Sequence, residues 1–245
     1  MRLAGKAALV TGGSRGMGAA IGARLSSEGV SVALTYPTEE DSADQTAEEI
    51  RRSGGNAIAI KADNSNAEEV RAAVARTIER FGRLDILVNN AGIGTVGLID
   101  ELTLEQFDKI VAVNIRAIFV AVQAALPHLG TGARIINTSS IGSFFSGFPG
   151  MCIYAMSKAA VAGLTRGLAR DLGTRGITVN AIQPGSIDTD MNPANGPYAK
   201  MMEGRIALGR YGKASEIASM VAFLASAEAD YITGASLVVD GGYTI

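Results

Sequence analysis

Tyr154 and Lys158 stand four residues apart in a stretch, 153–172, with a helical pattern. On a helix that spacing puts both side chains on one face. A free phenol titrates near ~10, too high for easy proton exchange at neutral pH. A nearby ammonium favours the phenolate, so Lys158 is expected to lower the Tyr154 pKa and make it a proton donor and acceptor. By itself the pair is no more than the common surface coincidence of two residues one turn apart. A second constellation lies near the N-terminus, Thr11-Gly12-Gly13-Ser14-Arg15-Gly16-Met17-Gly18. Gly12, Gly16 and Gly18 let a backbone turn tightly and approach a pyrophosphate, and a helix opening there offers free N–H groups. A plain turn would use glycine too; the position at the first strand–helix junction favours the phosphate reading.

The elements that must carry these residues alternate. Strand-like runs fall at 7–11, 31–36, 57–60, 86–89, 134–137, 178–182 and 236–239. Most are continuously apolar, as in strands buried on both faces. Helical patterns lie between them at 15–28, 40–53 and 67–81, stopped by Gly29, Gly54 and Gly82. Thr103 with Gln106 reads as a capping box opening a long helix over 104–126. The alternation predicts an α/β, Rossmann-like, doubly wound parallel sheet of about seven strands with helices on both faces. It reads as one domain over 1–245. The stretch 185–212 is rich in Pro, Gly, Asn and Met, breaks the rhythm and is expected to form a lid. In such sheets ligands bind beyond the carboxyl ends of the strands, where both constellations fall.

Composition excludes several classes. The 245 residues are 47% hydrophobic and 19% charged, with net charge -2, so no basic footprint for nucleic acid exists. Its single cysteine, Cys152, permits no internal disulfide. No signal peptide or membrane-spanning run is seen, and a cytoplasmic location is expected. No cluster of ligand spacing calls for a metal, and His128 reads as a helix-end or surface residue.

Thr-Gly-x-x-x-Gly-x-Gly, the Asn89-Asn90-Ala91-Gly92 run, Ser139-Ser140, Tyr154-x-x-x-Lys158 and Asp240-Gly241-Gly242, in that order, resemble the classical short-chain dehydrogenase/reductase family along the whole chain. The resemblance implies an active site of Asn114, Ser140, Tyr154 and Lys158. Tyr154 would protonate the substrate oxygen, Ser140 would hydrogen-bond it, and Lys158 would hold the nicotinamide ribose. Asn114 would anchor a water leading to Lys158. The Ser140–Tyr154 spacing is one residue wider than in many members, so the intervening loop is expected to carry one extra residue.

The cofactor implied is NADP(H), with NAD(H) as the second choice. The second strand ends at Tyr36 without an acid, and Arg15 sits where a base meets a 2′-phosphate. Gly12, Ser14, Arg15, Gly16, Met17, Gly18, Tyr36, Asp63, Asn64, Asn90, Ala91, Gly92, Tyr154, Lys158, Pro184, Gly185, Ile187 and Thr189 are the expected cofactor contacts. Asp63 doubles as an expected helix N-cap. Substrate contacts are expected from Ser140, Phe148, Ile153, Tyr154, Met191 and Tyr198, making an apolar pocket.

The reaction implied is ketone and secondary-alcohol interconversion on a small molecule. Two alternatives stand beside it. One is a 3-oxoacyl-carrier-protein reductase, ranked lower because 126–130 lacks Lys or Arg and only Arg175 matches a basic position. The other is a non-catalytic signalling protein, because 188–197 resembles family members linked to cyclic-di-GMP and biofilm dispersal. A homotetramer is expected, through 104–126, 154–172 and the last strand.

Overall fold

A computed structural model describes residues 1–245 apart from Glu39 and Tyr198, with backbone alone at 40–43. The order is β1 (Ala7–Val10), α1 (Gly16–Ser27), β2 (Ser31–Tyr36), α2 (Glu40–Arg52), β3 (Ala57–Lys61), α3 (Ala67–Phe81) and β4 (Ile86–Asn89). Then come α4 (Leu104–Val111), α5 (Ala117–Ala125), β5 (Arg134–Thr138), α6 (Cys152–Leu172) and β6 (Thr178–Pro184). The chain ends with β7 (Ile187–Asp188), α7 (Ala199–Glu203), β8 (Gly212–Lys213), α8 (Ala214–Ala225) and β9 (Ser236–Val239).

Seven strands form one sheet in the order β3-β2-β1-β4-β5-β6-β9, every neighbouring pair parallel. Every residue of β1, β4, β5 and β6 is buried; β1 is apolar throughout, and Asn89, Asn137 and Asn180 of the other three spend their amides on hydrogen bonds inside the fold. Alternate residues serve opposite faces. Val10 and Ile86 join Ile21 and Leu25 of α1, Ile50 of α2 and Val221 of α8. Leu9 and Leu87 join Val74 of α3, Val122 of α5 and Val161 of α6 on the other face. The strand order reverses between β1 and β4, so a crevice opens beyond their carboxyl ends.

Two sequence expectations change, and one helix is added. The helix expected over 104–126 is not continuous: residues Ala112–Arg116 form a π-helical segment between α4 and α5. Such insertions widen one turn and recur at functional sites; this one carries Asn114. Asp63 does not cap α3. The Asn66 side chain does, accepting from the N–H groups of Glu68 and Glu69, while Asp63 Oδ1 accepts from Ser65 N–H. Helix α8 was not expected at all, although Ile217, Ala218, Val221, Ala222, Leu224 and Ala225 bury one face at helical spacing. The Thr103–Gln106 capping box is present. Among the described residues, no helix is long and apolar enough to cross a membrane.

Candidate active site

The glycine loop leaves β1 at its carboxyl end. Gly12 and Gly16 take φ of +64° and +53°, a region L side chains rarely enter. Gly18 is required by space. A Cβ there would lie 2.0 Å from the Gly12 carbonyl oxygen and 2.7 Å from Asn90 Nδ2. Gly18→Ala is therefore expected to cost about 1–3 kcal/mol through overpacking. A thermal melt checks this; a midpoint equal to wild type would contradict the packing.

The end of β4 is tied to this loop. Asn90 Nδ2 donates to the carbonyls of Thr11 and Gly12 at 2.9 and 3.0 Å. Thr11 Oγ1 accepts from the N–H groups of Asn90 and Ala91, both at 3.0 Å. Thr35 Oγ1 accepts from Gly12 N–H at 3.0 Å.

A cleft of about 570 Å³ runs along this edge. Gly12, Ser14, Arg15, Gly16, Met17, Gly18, Asp63, Asn64, Asn90, Ala91 and Gly92 line it from the β1–β4 side. Ser140, Tyr154, Lys158, Pro184, Gly185, Ile187, Thr189 and Met191 line the other. Three expected contacts and one expected catalytic residue are off the cleft wall. Tyr36 is buried, 5% exposed, and off the wall, because alternation along β2 turns Thr35 and Pro37 to the cleft instead. Ile153 precedes Tyr154 by one helical position and points into the core. Phe148 is half-buried on its loop, off the cleft wall. Asn114 is buried behind Gly92. Tyr198 lies outside the described residues. Ile93, Lys109, Val113, Thr138, Ser139, Asp190 and Asn192 also line the cleft and were missed. Lys109 and Val113 stand at i and i+4, the spacing that could have found them.

The reacting groups converge at the ends of β5 and α6. Ser140 Oγ accepts from Gly142 N–H at 3.0 Å, and its hydroxyl hydrogen-bonds the Tyr154 phenol. Ser139 is turned away, donating to the Lys158 carbonyl at 2.8 Å. A Cβ on Gly142 would come within 3.2 Å of the Tyr154 ring and 3.3 Å of Ser140 Oγ. Lys158 Nζ donates to the Thr138 carbonyl at 2.9 Å and lies 5.8 Å from the Tyr154 ring centroid. Asn114 Nδ2 donates to the Ile93 carbonyl and to Ser157 Oγ, both at 3.0 Å. Its Oδ1 accepts from Ile93 N–H at 2.9 Å. The π segment thus clamps the chain leaving β4.

The electrostatics differ from the expectation that Lys158 pulls the phenol down. Burial raises the Tyr154 pKa, against the opposing hydrogen bond from Ser140. Burial likewise lowers the Lys158 ammonium to about 8. The shared cause is low polarity, which disfavours the charged form of each. At neutral pH the pair is a protonated phenol beside a cation, which suits proton donation.

The residues present fit a dinucleotide. The α1 N-cap, Arg15, makes no side-chain cap bond, and Gly16, Met17 and Gly18 of the first turn line the cleft, where their N–H groups would meet a phosphate. Asn90 Oδ1 and Thr138 Oγ1, on residues of the cleft wall, are buried with no hydrogen-bond partner among the described residues. Arg15 lies 3.7 Å from Asp190 across the mouth.

A family model described as Enoyl-(Acyl carrier protein) reductase matches residues 12–244. The chain is 43% identical over 239 residues to a cyclic-di-GMP-binding biofilm dispersal mediator protein of Escherichia coli K12, covering 98% of this chain and 97% of that one. It is 42% identical over 240 residues to a 3-oxoacyl-[acyl-carrier-protein] reductase of Staphylococcus aureus Mu50, covering 97% of each. A short-chain dehydrogenase of Burkholderia cenocepacia J2315, solved with NADP, superposes with a TM-score of 0.98 at 51% identity over 100% of both chains. Likeness of that extent, on a sheet of this order, means that the chain belongs to the short-chain dehydrogenase/reductase family.

Proposed function

We propose that the protein is an NADPH-dependent reductase interconverting small ketones and secondary alcohols. The observation that carries this is the convergence of Ser140, Tyr154 and Lys158 beside a dinucleotide-shaped cleft. A nicotinamide held by these residues would supply hydride to the carbonyl carbon. Ser140 then hydrogen-bonds the oxygen on which charge develops, and Tyr154 gives it a proton. The Lys158 charge stabilises the phenolate left behind. Asn114 holds Gly92 and Ile93 against Lys158, and its Oδ1 can anchor a water that returns the proton.

NADPH is preferred over NADH because β2 ends at Tyr36 without an acid and is followed at the cleft wall by Pro37 and Thr38, while Arg15 lines the cleft mouth. The Burkholderia relative was solved with NADP. Arg15→Ala is expected to weaken NADPH binding about 10-fold or more, the worth of a charge-assisted bond, and to leave NADH nearly unchanged. Titration of nicotinamide fluorescence reads both constants; equal weakening would remove Arg15 from 2′-phosphate recognition.

Reduction of a panel of aliphatic, cyclic and aryl ketones, followed by NADPH absorbance, tests the reaction. A 3-oxoacyl thioester on carrier protein belongs in that panel, given the Staphylococcus relative. We rank it second because Arg175 is engaged with the carbonyls of Leu126 and Leu129 at the end of α5, and 126–130 holds no Lys or Arg. Cyclic-dinucleotide binding without turnover, suggested by the Escherichia coli relative, is the third outcome. We place the protein in the cytoplasm as a homotetramer. Exposed Leu104 and Phe119 on α4 and α5, and uncrowded Gly163 and Gly167 on α6, would be the contacts between copies.

A further inference from the structure

A third apolar cluster lies apart from the two that cover the sheet. It joins Ile141, the neighbour of Ser140, to Ala199, Met202, Ile206 and Tyr211 of the 185–212 segment, and all of them to Tyr243. The Tyr243 ring, 7% exposed, meets Phe145 edge-on, with centroids 5.8 Å apart at 83°. Its hydroxyl donates to Met202 Sδ at 3.4 Å. A Cβ on Gly147 would come within 3.3 Å of that hydroxyl.

The backbone carrying Tyr243 is itself fixed. The Asp240 carboxylate accepts from the N–H groups of Gly242 and Thr244 and from the Thr244 hydroxyl. The Gly241 carbonyl accepts from Leu208 N–H at 3.0 Å. Gly242 sits at φ +80°, where a Cβ would lie 2.7 Å from Ala207. On its other side Asp240 packs on Gly185, a residue of the cleft wall, leaving no room for a Cβ there. One short turn therefore braces the cleft wall, the 185–212 segment and the loop after Ser140. Apart from it, the Arg205 guanidinium also links that segment to the loop, donating to the Gly147 carbonyl at 3.2 Å from an exposed position.

We propose that Tyr243 is a positioning residue that ties the 185–212 segment to the 141–151 loop, holding the two walls between which substrate reaches Tyr154. It acts through the Ile141 turn and Met202, not on the reacting atoms. Its consequence for ketone affinity rests on the reductase reading. Its consequence for the segment itself does not.

The test has two arms. Lys200, Arg205 and Arg210 are exposed tryptic sites on the segment. In Tyr243→Ala, native-state cleavage at these sites is expected to run several-fold faster than in wild type. The ketone KM is expected to rise about 3- to 10-fold, the worth of an aromatic pair, with kcat within ~2-fold. Tyr243→Phe, which keeps the ring, should restore both. Should Tyr243→Ala fail to fold, Phe145→Ala removes the other half of the pair from a half-exposed position and decides the matter by the same readouts. Wild-type cleavage and unchanged KM in the alanine variants would overturn the proposal. If the wild type reduces no ketone while cleavage still accelerates, the tie stands and the reductase reading falls.

Discussion

Tyr154→Phe should reduce kcat for ketone reduction by about 10²–10⁴-fold, the usual weight of a general acid. The change removes one oxygen and keeps the ring, so NADPH affinity should stay within ~2-fold of wild type. The loss is therefore expected in kcat, because the proton is delivered only as charge develops on the substrate oxygen. Stopped-flow or steady-state absorbance of NADPH measures it; a variant retaining a tenth of wild-type kcat would remove Tyr154 from the chemistry. The pH profile carries a second expectation. Reduction needs Tyr154 protonated and Lys158 charged. Burial holds the phenol above its ordinary range, so Tyr154 keeps its proton well past neutrality. Lys158 loses its charge first, at about 8. The rate should thus be level below that value and fall as pH rises through it.

Lys158→Met is expected to abolish turnover to a similar extent while making the protein more stable. Lys158 is buried, 5% exposed, and its pKa lies well below the ordinary ~10.4. A depression of that size corresponds to about 3 kcal/mol of unfavourable burial of charge. The sign follows from proton counts. Below about pH 8 both folded and unfolded chains hold the proton, and the folded state carries the full cost. Between there and ~10.4 the unfolded chain binds more protons, so stability rises with pH and the cost disappears. Methionine fills much the same volume without charge. Against this stands the lost bond to the Thr138 carbonyl, about 1.5–3 kcal/mol. The net gain at pH 7 is about 1 kcal/mol, or roughly 2–4 °C in the melting midpoint. It should shrink or reverse toward pH 10. A lower midpoint at pH 7 would show that the Thr138 bond outweighs desolvation. Stability given up at a reacting group is the common trade between activity and folding.

The chain's order of types was legible before any coordinates. The unbroken apolar run of β1, and the apolar stretches 86–88 of β4 and Ile135-Ile136 of β5, announced strands covered on both sides, because burial on two faces leaves no regular polar alternation. Gly18 was legible for a related reason: a turn that packs against itself excludes a Cβ whatever surrounds it. The Tyr154–Lys158 pair needed only helical periodicity. These are local facts, set by backbone geometry and by which neighbours lie one turn or one strand away.

What only the tertiary structure decided came from contacts between distant segments. The direction of the Tyr154 pKa is one case, since sequence spacing gives the neighbouring lysine but not the burial that raises the phenol against its Ser140 hydrogen bond. The side to which β2 turns Tyr36 is another, because alternation fixes relative facing while the neighbouring layers fix absolute facing. The π segment that aims Asn114 at Ile93 depends on how α4 and α5 pack, and no residue type marks it. Tyr243 lies about 100 residues from Phe145, and nothing along the chain relates them. Their meeting is set by the C-terminal turn folding back over Gly185, a closure that long-range packing alone determines.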